Sequence, residues 1–78
     1  MSGSMSADEV LAIFRGVLET EDLTAADDFF DAGGDSLLAT RVLSALARAT
    51  GEELTMEDFL LAPTPELLAA RVGRMVAP

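Results

Sequence analysis

The chain has no cysteine and no histidine, and its five basic residues are all arginine. Without cysteine there is no disulfide to staple a small fold and no thiolate to bind a metal ion. Without histidine the commonest general base, and the usual partner of a nucleophilic serine, is missing. Fourteen acidic residues against five basic ones leave a formal net charge of −9. That balance argues against nucleic acid and anionic membranes as partners, because both require basic neutralising charge. Over the whole chain, a basic partner surface is the natural counterpart. No apolar run reaches the length of a membrane span, and the N-terminus has neither the basic nor the apolar block of a signal peptide. The expected compartment is the cytoplasm.

What is present suits a compact helical protein. Half of the 78 residues are hydrophobic, mostly Ala, Leu and Val with four Phe, which fits one domain with a thin core. Met1-Ser2-Gly3-Ser4 before Met5 reads as a cloning remnant ahead of a native start, so residues 1–5 are set apart from a single domain over 6–78. On that reading the protein is free-standing or opens a longer chain, and it is expected to be monomeric.

Helical spacing organises most of the rest. Ser6 with Glu9 three residues on makes a capping box, and Val10, Leu11, Ile13, Phe14, Val17 and Leu18 then recur at helical intervals, predicting a helix from Ala7 to Glu19. Thr20 to Asp35 is long for a helix connection. It carries two glycines and six acids, with Leu23, Phe29 and Phe30 as apolar anchors, and reads as an ordered loop pinned to the bundle. From Ser36 to Thr50 the period is helical again, with Leu38, Val42, Ala45, Leu46 and Ala49 on the expected buried stripe and Gly51 as the C-terminal stop. Leu37 falls on the opposite side with Arg41, Ser44 and Arg48, so an exposed leucine is expected directly after Ser36. Thr55 caps a short helical turn through Met56, Phe59, Leu60 and Leu61, in which Phe59 is expected in the core and Met56 partly exposed. Thr64-Pro65 opens a last helix with Leu67, Leu68, Val72 and Val76 as its apolar contacts. The predicted fold is all-α: a small antiparallel bundle of three main helices and one short one, with a long loop between the first and second helices.

The run Asp28-Phe29-Phe30-Asp31-Ala32-Gly33-Gly34-Asp35-Ser36-Leu37-Leu38 is the chemically distinctive stretch. Gly34-Asp35-Ser36-Leu37 spells a hydrolase signature, but an activated serine needs a base and this chain has no histidine. It also lacks the closing glycine of a nucleophile elbow, since Leu38 stands there. Calcium loops starting at Asp27, Asp28 or Asp31 end on Leu38, Ala39 or Val42 where a bidentate glutamate belongs, so no EF-hand and no metal site is read. Taken alone, Ser36 reads as an ordinary helix N-cap. Its surroundings add two glycines that free the backbone to present the hydroxyl, and a helix N-terminus that favours a phosphodiester by about 1 kcal/mol or less. Asp35 opposes that stabilisation by charge repulsion, which points to recognition by a modifying enzyme as its role.

The paired aromatics, Gly-Gly-Asp-Ser-Leu and the amphipathic helix that follows resemble the peptidyl carrier domains of nonribosomal peptide synthesis, over nearly the whole chain from about Ser6 to Val76. The resemblance implies that Ser36 bears a covalent 4′-phosphopantetheine arm derived from coenzyme A, with Gly34 and Asp35 as its immediate neighbours. It implies a non-catalytic carrier of aminoacyl, aryl or peptidyl groups. The partners implied are a phosphopantetheinyl transferase, an adenylation enzyme or domain, and condensation, tailoring or thioesterase enzymes. Leu37, Arg41 and Met56 would contact them. An acyl carrier of polyketide or fatty acid synthesis shares that fold and chemistry, and a non-carrier helical interaction module is the reading from another class. Gly33-Gly34, Phe29-Phe30 and the lack of acids between Ser36 and Thr50 favour the peptidyl type.

Overall fold

The computed structural model describes the backbone of residues 5–75 and the side chains of residues 5–73. Its regular structure is four helices, α1 (Ala7–Leu18), α2 (Ser36–Thr50), α3 (Met56–Leu61) and α4 (Pro65–Met75), with no strand among the described residues. Helix α1 packs on both α2 and α4, and α3 packs on α2.

Each helix start follows from its local chemistry. The first backbone N–H groups of a helix have no intrahelical acceptor, so a side-chain oxygen placed just before them is stabilising. Ser6 Oγ accepts from Glu9 N at 3.1 Å while Glu9 Oε1 accepts from Ser6 N at 2.8 Å, which completes the first capping box. Thr55 and Asp58 form the same device at α3, at 3.1 and 2.9 Å. Thr64 Oγ1 accepts from Leu67 N at 3.1 Å ahead of Pro65 in α4. Helix α1 ends at Leu18, one residue before the expected limit, because Glu19 turns into the left-handed region at φ 56° and sends its N–H back to the Arg15 carbonyl. Gly51 takes the corresponding position after α2 at φ 78°, without a side chain to strain.

The core is assembled around all four phenylalanines. Phe14, Phe29 and Phe59 are fully buried and Phe30 is half-buried. Phe14 and Phe29 meet edge to face at 5.0 Å between ring centroids, and Phe29 reaches Phe59 at 5.0 Å and Phe30 at 5.4 Å. Each buried aromatic contributes roughly 1.5–3 kcal/mol by area, so two residues of the loop and one each of α1 and α3 form the centre of the fold. Hydrogen bonds to the backbone hold the same loop: Leu23 O accepts from the Arg15 side chain at Nη2 at 2.8 Å, Phe29 N donates to Pro63 O at 2.9 Å, and Glu66 N donates to Ala25 O at 3.1 Å. The loop is thus the ordered, pinned segment its anchors predict.

Two stripes differ from expectation. In α2 the buried positions are Ala39, Val42 and Leu46, whereas Leu38 and Ala45 are half-buried and Ala49 is exposed. At about 100° per residue Ala39 lies only about 20° around the helix from Leu46, so it belongs in the centre of the stripe. Ala49 has a suitable angle, but it lies in the last turn and nothing covers it. In α4, Leu68 and Val72 are buried one turn apart while Leu67, expected to pack, is 52% exposed, since it lies about 100° around from Leu68. Val76, expected to extend that stripe, lies outside the described residues.

A single ion pair ties α3 to α4 among the described residues, with Arg71 Nη2 2.9 Å from Asp58 Oδ1. The Thr55 backbone N–H, and after it the Arg71 guanidinium, hold the Asp58 carboxyl below the usual carboxylate range.

Candidate functional site

The Asp28–Gly34 turn decides how the chain enters α2. Asp28 Oδ1 accepts from Phe30 N at 2.8 Å and Asp31 N at 3.2 Å, and the backbone then closes with Ala32 N to Asp28 O at 3.0 Å and Gly34 N to Phe29 O at 3.0 Å. The two glycines serve different needs. Gly33 adopts φ +107°, a conformation that strains any L side chain. Gly34 has an ordinary backbone, but a Cβ there would collide with the Phe29 ring and stand 2.8 Å from the Phe29 carbonyl oxygen. Gly34 is therefore fixed by the close approach of a core aromatic, whereas sequence reasoning assigned both glycines to backbone freedom and placed Gly34 beside the arm.

Ser36 is exposed and is the first residue of α2, so it is not the cap. The cap is Asp35, whose Oδ1 accepts from Leu38 N at 2.9 Å and whose carbonyl accepts from Ala39 N at 2.8 Å. This gives Asp35 a folding role that the sequence reading missed, although an aspartate immediately before a helical period is itself the signal for one. With the cap supplied by its neighbour, the Ser36 hydroxyl makes no hydrogen bond among the described residues. Its carbonyl accepts from Thr40 Oγ1 at 2.9 Å within the first turn.

Around Ser36 the expected surface residues separate by exposure. Leu37 is 68% exposed and Arg41 is exposed one turn further on. Met56 is half-buried and leans on the core, Phe59 is fully buried, and Leu60 and Leu61 of α3 are exposed. Among the described residues no group of three or more acidic side chains is arranged to hold a metal ion. No helix among them is long and apolar enough to cross a membrane.

The family model described as a phosphopantetheine attachment site matches residues 8–72. The chain belongs to that carrier family. It is 42% identical over 91% of its length to a probable non-canonical nonribosomal peptide synthetase, CymA, of Salinispora arenicola. It is 38% identical over 88% of its length to the indigoidine synthase of Streptomyces lavendulae. The chain spans 1% and 5% of the lengths of those two relatives. A solved non-ribosomal PCP domain is 30% identical, covers 90% of this chain and 92% of its own, and superposes with a TM-score of 0.68. BlmI, a type-II acyl-carrier-protein from Streptomyces verticillus involved in bleomycin biosynthesis, superposes with a TM-score of 0.85 over 91% of this chain and 86% of its own. At 20% identity that likeness shows the fold alone.

This carrier family bears 4′-phosphopantetheine as its prosthetic group. The residues present fit such a group. Ser36 offers an exposed hydroxyl, Gly33 and Gly34 put no side chain beside it, and the first turn of α2 leaves the Ser36 and Leu37 amides free for an anionic oxygen while Asp35 engages Leu38.

Proposed function

We propose that Ser36 is the residue that carries the phosphopantetheine arm, and that the chain works as a peptidyl carrier: it holds an aminoacyl, aryl or peptidyl group and passes it between biosynthetic enzymes. The observation that carries this is the exposed Ser36 hydroxyl at the first turn of α2, freed from capping by Asp35 and followed directly by the exposed Leu37. When bound, the arm supplies a flexible thiol on which an acyl group is held as a thioester. This chain supplies the tether point, the rigid helix behind it and a surface for partners to recognise. Tethering replaces diffusion by a high effective concentration at each enzyme in turn, which is a gain that needs no catalytic group on the carrier. The chain is accordingly read as non-catalytic.

Nonribosomal peptide synthetases among the similar proteins support the peptidyl type, as does an α2 without a single acid. The partners proposed are a phosphopantetheinyl transferase, an adenylating enzyme, and condensation, tailoring or thioesterase enzymes. Leu37, Arg41 and the exposed edge of Met56 are proposed to meet them in short-lived, modest contacts. The carrier is proposed to act as a monomer in the cytoplasm, without nucleic acid or membrane.

Offering the armed protein to adenylating enzymes encoded nearby and to a malonyl-transferring enzyme, with intact mass as the readout, tests the assignment. Aminoacyl or aryl loading is expected. Efficient malonyl loading with no loading by any adenylating enzyme would place the chain with the acyl carriers instead.

A further inference from the structure

Phe29 is fully buried and held from three elements. Its ring meets Phe14 of α1 edge to face and Phe59 of α3, each at 5.0 Å between centroids, and its N–H donates at 2.9 Å to Pro63 O, between α3 and α4. Phe29 in turn holds Gly34. Gly34 N donates to Phe29 O at 3.0 Å, and a Cβ on Gly34 would collide with Cδ2 and Cε2 of the ring. Leaving aside its chain neighbours, the three atoms nearest such a Cβ all belong to Phe29. The fold gains little apolar burial from so close an approach, because Gly34 is only half-buried and adds no side chain to the core. What lies beyond Gly34 is the site itself. Ser36 follows after Asp35 alone, two Cα–Cα steps of about 3.8 Å from the ring's resting place, so a shift of Gly34 is passed to Ser36 over a short lever. The rest of α2 is fixed separately by its buried Ala39, Val42 and Leu46.

Resting on the assignment of the arm to Ser36, we infer that Phe29 is a positioning residue for the arming reaction: by seating Gly34 against its ring, it fixes where the Ser36 hydroxyl stands during transfer. In that reaction Ser36 Oγ bonds to the pantetheine-side phosphorus of coenzyme A. The bond from that phosphorus to the bridging pyrophosphate oxygen breaks, adenosine 3′,5′-bisphosphate leaves, and the hydroxyl proton passes to a base on the transferase. Attack is in line with the leaving oxygen, so the rate depends steeply on the placement of Oγ, and a displacement of about 1 Å can cost on the order of a hundredfold. Because Arg41 and the helix beyond it keep their place when Gly34 shifts, the contact acts on the chemical step and leaves the encounter with the transferase unchanged.

The test is arming of the full chain by a broad-specificity phosphopantetheinyl transferase with coenzyme A, with kcat and KM for the carrier resolved by intact mass and amide hydrogen exchange followed alongside. Phe29→Leu keeps an apolar side chain in the core but removes the ring. It should lower kcat about tenfold with KM retained, and the Gly34 amide should exchange faster. Gly34→Ala should lower kcat to a similar extent while circular dichroism finds α2 intact. Leu68→Ala, which truncates a fully buried side chain of α4, should cost at least as much stability as Phe29→Leu yet leave kcat and Gly34 exchange at the parental values. If Gly34→Ala does not fold, the contrast between Phe29→Leu and Leu68→Ala decides. The inference is overturned if Leu68→Ala loses as much kcat as Phe29→Leu, or if the loss is carried by KM, which would make the contact a matter of recognition. A parent armed at Ser36 with parental kcat in Phe29→Leu overturns this inference alone, whereas failure of Ser36 to accept the arm overturns the carrier reading and this inference with it.

Discussion

Between Thr20 and Asp35 the chain carries six carboxylates and no cation, while from Ser36 to Thr50 it carries two guanidiniums and no carboxylate. In the loop, three of the carboxylates act on the local backbone. Asp27 accepts from Thr24 N at 2.8 Å, Asp28 from Phe30 N and Asp31 N, and Asp35 from Leu38 N. They replace hydrogen bonds that a helix makes for itself, and so help to order the connection between Leu18 and Ser36 without regular structure. Helix α2 has its own backbone bonds, so its charged side chains are released from that work and point outward. The two segments meet at the Asp35–Ser36 peptide bond, where the last folding acid of the loop leaves the first hydroxyl of the helix free. Charge in one segment holds the turn that leads into α2, and charge in the other stays exposed and unpaired among the described residues.

The comparison is tested most severely in the core, where loop and helix should behave alike. Phe29→Ala and Leu46→Ala each remove a fully buried side chain and should each cost about 2–5 kcal/mol in denaturant unfolding. Leu37→Ala should cost under about 0.5 kcal/mol, as a surface substitution does. Equal destabilisation by Leu37→Ala and Leu46→Ala would mean that α2 faces the other way.

A smaller effect separates the two roles argued for Asp35. Asp35→Ala should lose about 1 kcal/mol of stability by removing the cap, whereas Asp35→Asn keeps a good capping oxygen and should unfold like the parent. If the transferase reads the negative charge, Asp35→Asn will be armed more slowly at unchanged stability. If it does not, arming rates will match and the residue is there to cap.

The smallest effect concerns the link between α3 and α4. A carboxyl held below its usual range contributes stability that is present above the unfolded value, about 3.9 for aspartate, and is lost as pH falls through the lower folded value. The acid limb of the stability curve should therefore be shallower below about pH 4 in Asp58→Asn than in the parent. An identical acid limb would assign that slope to other carboxylates.

Much of this was legible in the chain because the signals are local. Ser6 with Glu9, Thr55, Thr64-Pro65 and Gly51 mark helix limits through hydrogen bonds or backbone angles that depend on residues a turn away or less, and the helices begin where these residues place them. The spacing of Leu37, Arg41 and Arg48 likewise fixed an exposed face. What escaped sequence reasoning depends on contacts between distant segments. Ala39 is silent as a sequence signal, and only the approach of other elements makes it core while leaving Ala49 bare. Gly34 looks like a flexible hinge until the Phe29 ring is found against it. Leu67 and Leu68 are adjacent and equally apolar, and only the placement of α4 against α1 decides which of them is buried. Asp35 was within reach, since an aspartate immediately before a helical period is itself a capping signal.

The direct test of the central assignment is intact-mass and peptide-mapping analysis of the protein and its Ser36→Ala variant after incubation with coenzyme A and a broad-specificity phosphopantetheinyl transferase. The account predicts a gain of one phosphopantetheine on the Ser36 peptide of the parent, and none on the variant, at equal thermal stability. An unmodified parent, or a variant that still gains the arm, would contradict it.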